Sequence, residues 1–379
     1  MHRRTIHDAF APPSLGGAAA LLLWRARRSR AVRWTMLGAL LALLLAGGGL
    51  ALQPPQDGEP IALPSAPLAV AADGRAGRLY VATADNSVYV LDTASKRLIG
   101  AEKVAGLPVA VAADPAAGRV CVATLNGLVV LDAAGAAAPR TVGLGDPPTA
   151  LAVDPALDRV YVTTVAFEHG LGSGRLVVLD ATRDTVMASV PVGVQLLGLA
   201  VDLRSHRLYV ADAGGGSVTV LEGEPLAVRA TIAVGGTPYR VDVDARAGRA
   251  YVTDLEAPLL RVLATRRDVV QQTVPVGRRP AGVAVDPATG RVFVANRGDG
   301  TITVLGGPDA TPLATLPAGA QPASLAVDAA GNRVYVTDLE DGTLRLLQDG
   351  RFGRPKAHVI ARTDGAAAPA PQEPSTCDC

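Results

Sequence analysis

The sequence predicts an all-β fold, a seven-bladed β-propeller of four-stranded antiparallel blades, preceded by one N-terminal transmembrane or signal-anchor helix. Three observations carry that expectation. One phrase recurs seven times with a period near 42 residues. Each copy holds four short strand-like runs. The first two runs of each copy are apolar at nearly every position, so they need cover on both faces.

The phrase is anchored by an aspartate that ends its first run: Asp73, Asp114, Asp154, Asp202, Asp244, Asp286 and Asp328. Their separations are 41, 40, 48, 42, 42 and 42 residues. Five residues after each stands an arginine: Arg78, Arg119, Arg159, Arg207, Arg249, Arg291 and Arg333. Two further on comes an aromatic residue, except that Cys121 fills the second copy. A fixed period of this length marks a repeat architecture in which each unit is one supersecondary element.

In the sixth unit the four runs read AGVAVD, RVFVAN, TITVL and PLATLPA. Val, Ile and Thr dominate, and the runs are too short for helices. One four-stranded sheet cannot bury two apolar faces, but seven in a ring cover one another and leave few open edges. The blades are expected at about 67–106, 107–146, 147–194, 195–236, 237–278, 279–320 and 321–362. Asp and Arg flank a tight hairpin, so they face each other across the first strand pair. Opposite charges there contribute ~0.2–1 kcal/mol, and the Asp can accept bonds from turn N–H groups. Cys121, in an aromatic's place, reads as a buried small hydrophobe. Two segments compete to close the ring, Pro60–Pro64 and Ala357–Ile360.

The composition agrees with many short strands: 49% of residues are hydrophobic, only 3% aromatic, and there are 41 Gly and 28 Pro. The net charge of +1 divides unevenly. Residues 1–56 hold seven Arg and one Asp, a net of +6, which leaves −5 for the remainder. A mildly acidic main domain does not fit a nucleic-acid footprint. Met36–Leu52 is an uncharged run of 17 residues preceded by Arg25, Arg27, Arg28, Arg30 and Arg33. That length is at the lower limit for crossing a bilayer, and the arginines orient everything after it outward. The organisation expected is a basic cytoplasmic lead at 1–34, the helix or a cleavable signal at 35–56, a propeller at 57–362, and an Ala/Pro-rich tail at 363–379 ending in Cys377 and Cys379. The location expected is the cell membrane, single-pass, with the propeller extracytoplasmic. Cleavage would make it secreted or periplasmic.

Pro280–Asn296 followed by Thr301–Leu305, and Tyr335–Asp338, resemble the YVTN-type β-propeller repeat. The resemblance spans about 300 residues and all seven units. It departs at the last position of the motif, where only Asn296 supplies the Asn. It implies an extracytoplasmic propeller, often at a cell surface or in a periplasm, and no single chemistry.

Ligands of a propeller are expected on the face that carries the second-to-third-strand loops and the links between blades. The candidates there are Glu168, His169, Tyr239, Arg240, Asp254, Glu256, Arg278, Arg297 and Glu340. The insertion Ala166–Gly174, which accounts for the separation of 48, reads as a recognition loop or a flexible surface loop. Asp242 replaces the alanine of other units and is expected to pair with Arg240. His206, at a hairpin turn, is expected to be solvated. No metal-ligand spacing, phosphate loop or nucleophile elbow is present. The function expected is a non-enzymatic scaffold, without cofactor, for an envelope protein or small ligand. The alternatives are a lactonase- or lyase-like enzyme with a metal in the channel, and a structural surface protein.

Overall fold

The computed structural model describes residues 60–168, 171–307 and 309–348. Contacts divide the chain into two units, residues 1–53 and 54–379, and all described strands lie in the second. They form seven four-stranded antiparallel sheets, the blades of a propeller. Among the described residues no helix is long and apolar enough to cross a membrane, and the 35–56 segment lies outside them.

The innermost strands are Pro67–Asp73, Pro108–Asp114, Pro148–Asp154, Leu196–Asp202, Pro238–Asp244, Pro280–Asp286 and Pro322–Asp328. Each begins next to a bulge in its pairing with the second strand. The bulge twists and re-aims the backbone at one end of every inner strand.

The apolar faces meet as the residue pattern requires. Seven hydrophobic clusters account for the core, and each draws its side chains from two successive blades. The repeated aromatic position supplies their largest members: Tyr80, Tyr209, Tyr251, Phe293 and Tyr335 are all fully or almost fully buried. Cys121 is buried in the same place, and burial pushes its thiol up to about 12.

Closure falls to the N-terminal segment. Ile61–Ala62 pairs antiparallel with Thr343–Gln348 and completes the last blade, with Ile61 opposite Leu344. Ile61, Leu63 and Leu344 join the cluster between blades 7 and 1. The other contender, 357–360, lies outside the described residues.

The hairpin turns explain the repeated Asp and refine the reading of the Arg. In all seven units the Asp and Arg are register partners. The Asp carboxylate accepts turn N–H bonds: Asp73 takes Arg75 and Ala76 at 3.0 Å each, and Asp244 takes Arg246 and Ala247 at 2.9 Å. The direct ion pair is seen in blade 2, Arg119 to Asp114 at 2.8 Å. In three other blades the guanidinium reaches past its own blade, whereas Arg159 donates from Nη1 to the Leu157 carbonyl of its own turn at 3.0 Å. Arg78 donates to the Ala133 carbonyl, Arg207 to Thr265 at 3.1 Å, and Arg333 to Thr93 at 2.6 Å. Each of these carbonyls follows the third strand of the next blade, so the Arg joins blade to blade. The long side chain makes that reach possible.

The residue before each Arg is Gly77, Gly118, Asp158, His206, Gly248, Gly290 or Asn332, and all seven have positive φ, between 50° and 68°. Only Gly, Asn, Asp and His adopt that conformation at modest cost. His206 is therefore placed by the turn. It is not simply solvated: its Nδ1 lies 2.6 Å from the carboxylate of Asp154, across the seam from blade 4 to blade 3.

Candidate functional site at the axial mouth

The inner strands start at one end of the central channel, and a cavity of about 480 Å³ opens there. Its wall follows the repeat. The residue after the first position of each inner strand lines it in every blade: Leu68, Val109, Thr149, Leu197, Tyr239, Ala281 and Ala323. The second-to-third-strand loops add Leu125, Arg297 and Leu339, the second strand of blade 3 adds Val165, and the links add Leu107, Pro147 and Gln195. A smaller space of about 170 Å³ continues down the channel among the next inner-strand residues.

The mouth is uneven. Blades 1 to 4 present leucines, valines and prolines, and Leu125 stands 49% exposed and Leu107 37%. Blades 5 and 6 present Tyr239, Arg240 and Arg297. Among the described residues the lining contains two arginines and no acidic side chain. A concave, mostly apolar wall with a few convergent polar groups is the usual form of a small-molecule site.

The two arginines are held in place without being neutralised. Arg240 lies with its guanidinium carbon 5.0 Å from the Tyr239 ring centre and donates from Nη1 to the Leu197 carbonyl of blade 4 at 2.5 Å. Arg297 donates from Nε and Nη2 to Gln321 Oε1 at 3.1 and 2.8 Å. Gln321 in turn donates to Glu340 at 2.8 Å. Among the described residues no carboxylate lies within 4.0 Å of either guanidinium.

The expected pairing of Arg240 with Asp242 does not occur. The bulge between Pro238 and Val241 breaks the strand's alternation. Arg240 reaches back to blade 4, whereas Asp242 reaches forward to blade 6, where its Oδ2 accepts the Val285 N–H at 2.8 Å. Its Oδ1 accepts the Val243 N–H at 2.8 Å. Desolvation in this seam pushes the carboxyl up to about 6, against the two backbone bonds that favour its ionised form.

Of the residues singled out from sequence, the cavity brings together Tyr239, Arg240 and Arg297. The others lie elsewhere. Asp254 is buried and works as a clamp, accepting Thr237, Glu256 and Ala257 N–H groups at 3.1–3.2 Å. Asp212 and Asp338 clamp the neighbouring links in the same way. Gly236 and Gly319, both at positive φ, leave room for these carboxylates where a Cβ would collide with them. Glu256 is exposed on the rim. Arg278 is exposed and bonded to Asp299 at 2.5 Å. Glu340 is exposed at the end of the Gln321 bridge.

The insertion of blade 3 is a strand extension, not a loop. Arg159–Glu168 and Leu171–Asp180 pair continuously out to Glu168 opposite Leu171. Each strand is 10 residues against 6 in the other blades. Gly172 and Gly174 let the arm approach Val194 of the link and Leu196 of the next inner strand, where a Cβ would collide. His169 and the side chain of Glu168 lie outside what is described. Among the described residues no group of three His, Cys, Asp or Glu side chains could hold a metal ion.

The apolar lining was not among the residues singled out from sequence. The signal was the repeat itself, since equivalent positions of successive units must form a ring around the axis. Compared with family models and with curated proteins, the chain matches none of them.

Proposed function

We propose that the chain is a YVTN-type, extracytoplasmic propeller, anchored through its N-terminal apolar segment, that binds a small ligand at the axial mouth. The repeat residues support the family, and the arginine-flanked run at 36–52 supports the anchor and its orientation. The observation that carries the binding role is the apolar-walled cavity of about 480 Å³ where the units of a regular ring cease to be alike. The cavity supplies surface and fixed charge. The carboxylates Asp212, Asp254 and Asp338 of the same face are engaged in holding the links, so binding is favoured over catalysis.

The test is extraction and mass spectrometry of small molecules from the full chain purified from its own cells, beside a Leu125→Asp variant. An apolar compound held by the parent chain and absent from the variant supports the reading. Identical extracts from both, with both still folded, would leave a purely structural surface protein. Protease treatment of intact cells tests the orientation: an extracytoplasmic ring is accessible, and a protected one refutes that part.

A further inference from the structure

The two arginines of the mouth are departures from the repeat. Four residues before the repeated Asp, the other units place Ala69, Ala110, Ala150, Gly198, Gly282 and Ser324, and blade 5 alone places Arg240. The position is tight: a Cβ on Gly198 would lie 2.7 Å from the Tyr239 carbonyl, and one on Gly282 would meet the Ala323 carbonyl. Six residues after the repeated Arg, the other units place Ala84, Leu125, Val165, Ala213, Leu255 and Leu339, and blade 6 alone places Arg297. Both exceptions line the same cavity. Ordering such a side chain costs rotamer freedom. Six of seven units build the ring with a small or apolar residue at each position, so ring packing does not require either charge.

The donors left over point to a ligand. Arg240 uses Nη1, and the other nitrogens of its guanidinium have no protein partner among the described residues. Arg297 uses Nε and Nη2 on a neutral amide oxygen. Two cations stand at one side of an apolar basin with no carboxylate in its lining. Guanidinium groups bind planar carboxylates through paired charge-assisted bonds, and they are weakly hydrated enough to do so at an apolar wall. Tyr239 holds the Arg240 plane in place, which limits the freedom lost on binding.

We propose that the mouth binds a compact amphipathic anion, its apolar body on the leucines, valines and prolines of blades 1 to 4 and its carboxylate between Arg240 and Arg297. This rests on the mouth being a binding site and adds the chemical class of its ligand. The volume suits a single small molecule.

The probes are sodium octanoate, octanamide and octylamine, titrated calorimetrically at pH 7.5 into the full chain in a neutral detergent, with detergent alone as the blank. Octanoate is expected to bind at least tenfold tighter than octanamide, and octylamine more weakly than either. Arg240→Gln and Arg297→Gln should each bring the octanoate-to-octanamide ratio to threefold or less, while thermal melting shows the ring intact. Equal affinities for octanoate and octanamide, or a preference for octylamine, would overturn the anion proposal and leave the binding site standing. No binding of either neutral or anionic probe would remove the binding reading with it. Arginine-dependent retention on phosphatidylglycerol vesicles without octanoate binding would overturn the proposal in favour of a lipid surface.

Discussion

The seams between blades and the mouth of the channel follow opposite rules. In every seam the same positions recur: an aromatic residue or its substitute, an Asp that caps the turn, and an Arg beside it. At the mouth the equivalent positions carry Leu, Val, Thr, Tyr or Ala, and two arginines appear once each. Every seam must perform the same task, burial of two apolar faces, so its residues repeat. The mouth faces no neighbouring blade and is free to vary. Uniformity therefore identifies structure, and departure from it identifies the place to look for binding.

The sharpest way to break the contrast is at the closing seam, which depends on two residues of strand. Ile61→Asp puts a charge in a buried apolar site and is expected to cost about 3–4 kcal/mol, read by chemical denaturation, whereas Ile61→Val should cost about 1 kcal/mol. Equal small losses would mean that the short strand is not what holds blade 7 to blade 1.

Asp242 is a seam residue that departs from the repeat, and it tests whether departure always means binding. Its folded-state value of about 6 exceeds its ordinary 3.8. A raised carboxyl contributes stability below pH 4 that is lost as the pH climbs through 6, about 3 kcal/mol in full and about 2 kcal/mol between pH 4.5 and 7.5. Unfolding at pH 4.5 and 7.5 should show that loss in the parent chain and little of it in Asp242→Asn. A variant with the parent's full pH slope would assign the titration to another group.

The arginine joints should weaken the frame by less. Arg333→Ala removes a charge-assisted bond to the Thr93 carbonyl and is expected to cost about 1.5–2 kcal/mol in denaturation. Arg119→Ala, whose partner is the Asp of its own turn, should leave the blade 2–3 seam tighter than Arg333→Ala leaves the 7–1 seam, measured by hydrogen exchange. Smallest is the rim: Arg278→Ala breaks an exposed ion pair with Asp299 and should change stability by about 0.5 kcal/mol or less.

Much of the frame was legible in the residues, and much of the mouth was not. The hairpin of Asp and Arg is visible as a fixed offset, because a tight turn admits one spacing. The destination of the Arg was hidden, because the Thr93, Ala133 and Thr265 carbonyls belong to other blades. Charged residues on the loop face drew attention, yet Asp254 proved to be a buried clamp and Arg278 a rim residue. Leu107, Leu125 and Leu197 drew none, since one leucine looks like another until the ring sets them side by side. The pairing of Arg240 with Asp242 assumed unbroken alternation, and a bulge invalidated it.

The number of blades, their strands and their two apolar faces follow from the sequence alone, because they rest on local periodicity and on the need to bury both sides of a small sheet. Which strand closes the ring, where each arginine reaches and which side chains share the mouth were decided by tertiary structure. Those are contacts between residues far apart in the chain, and their partners exist only once seven separately written units stand around one axis.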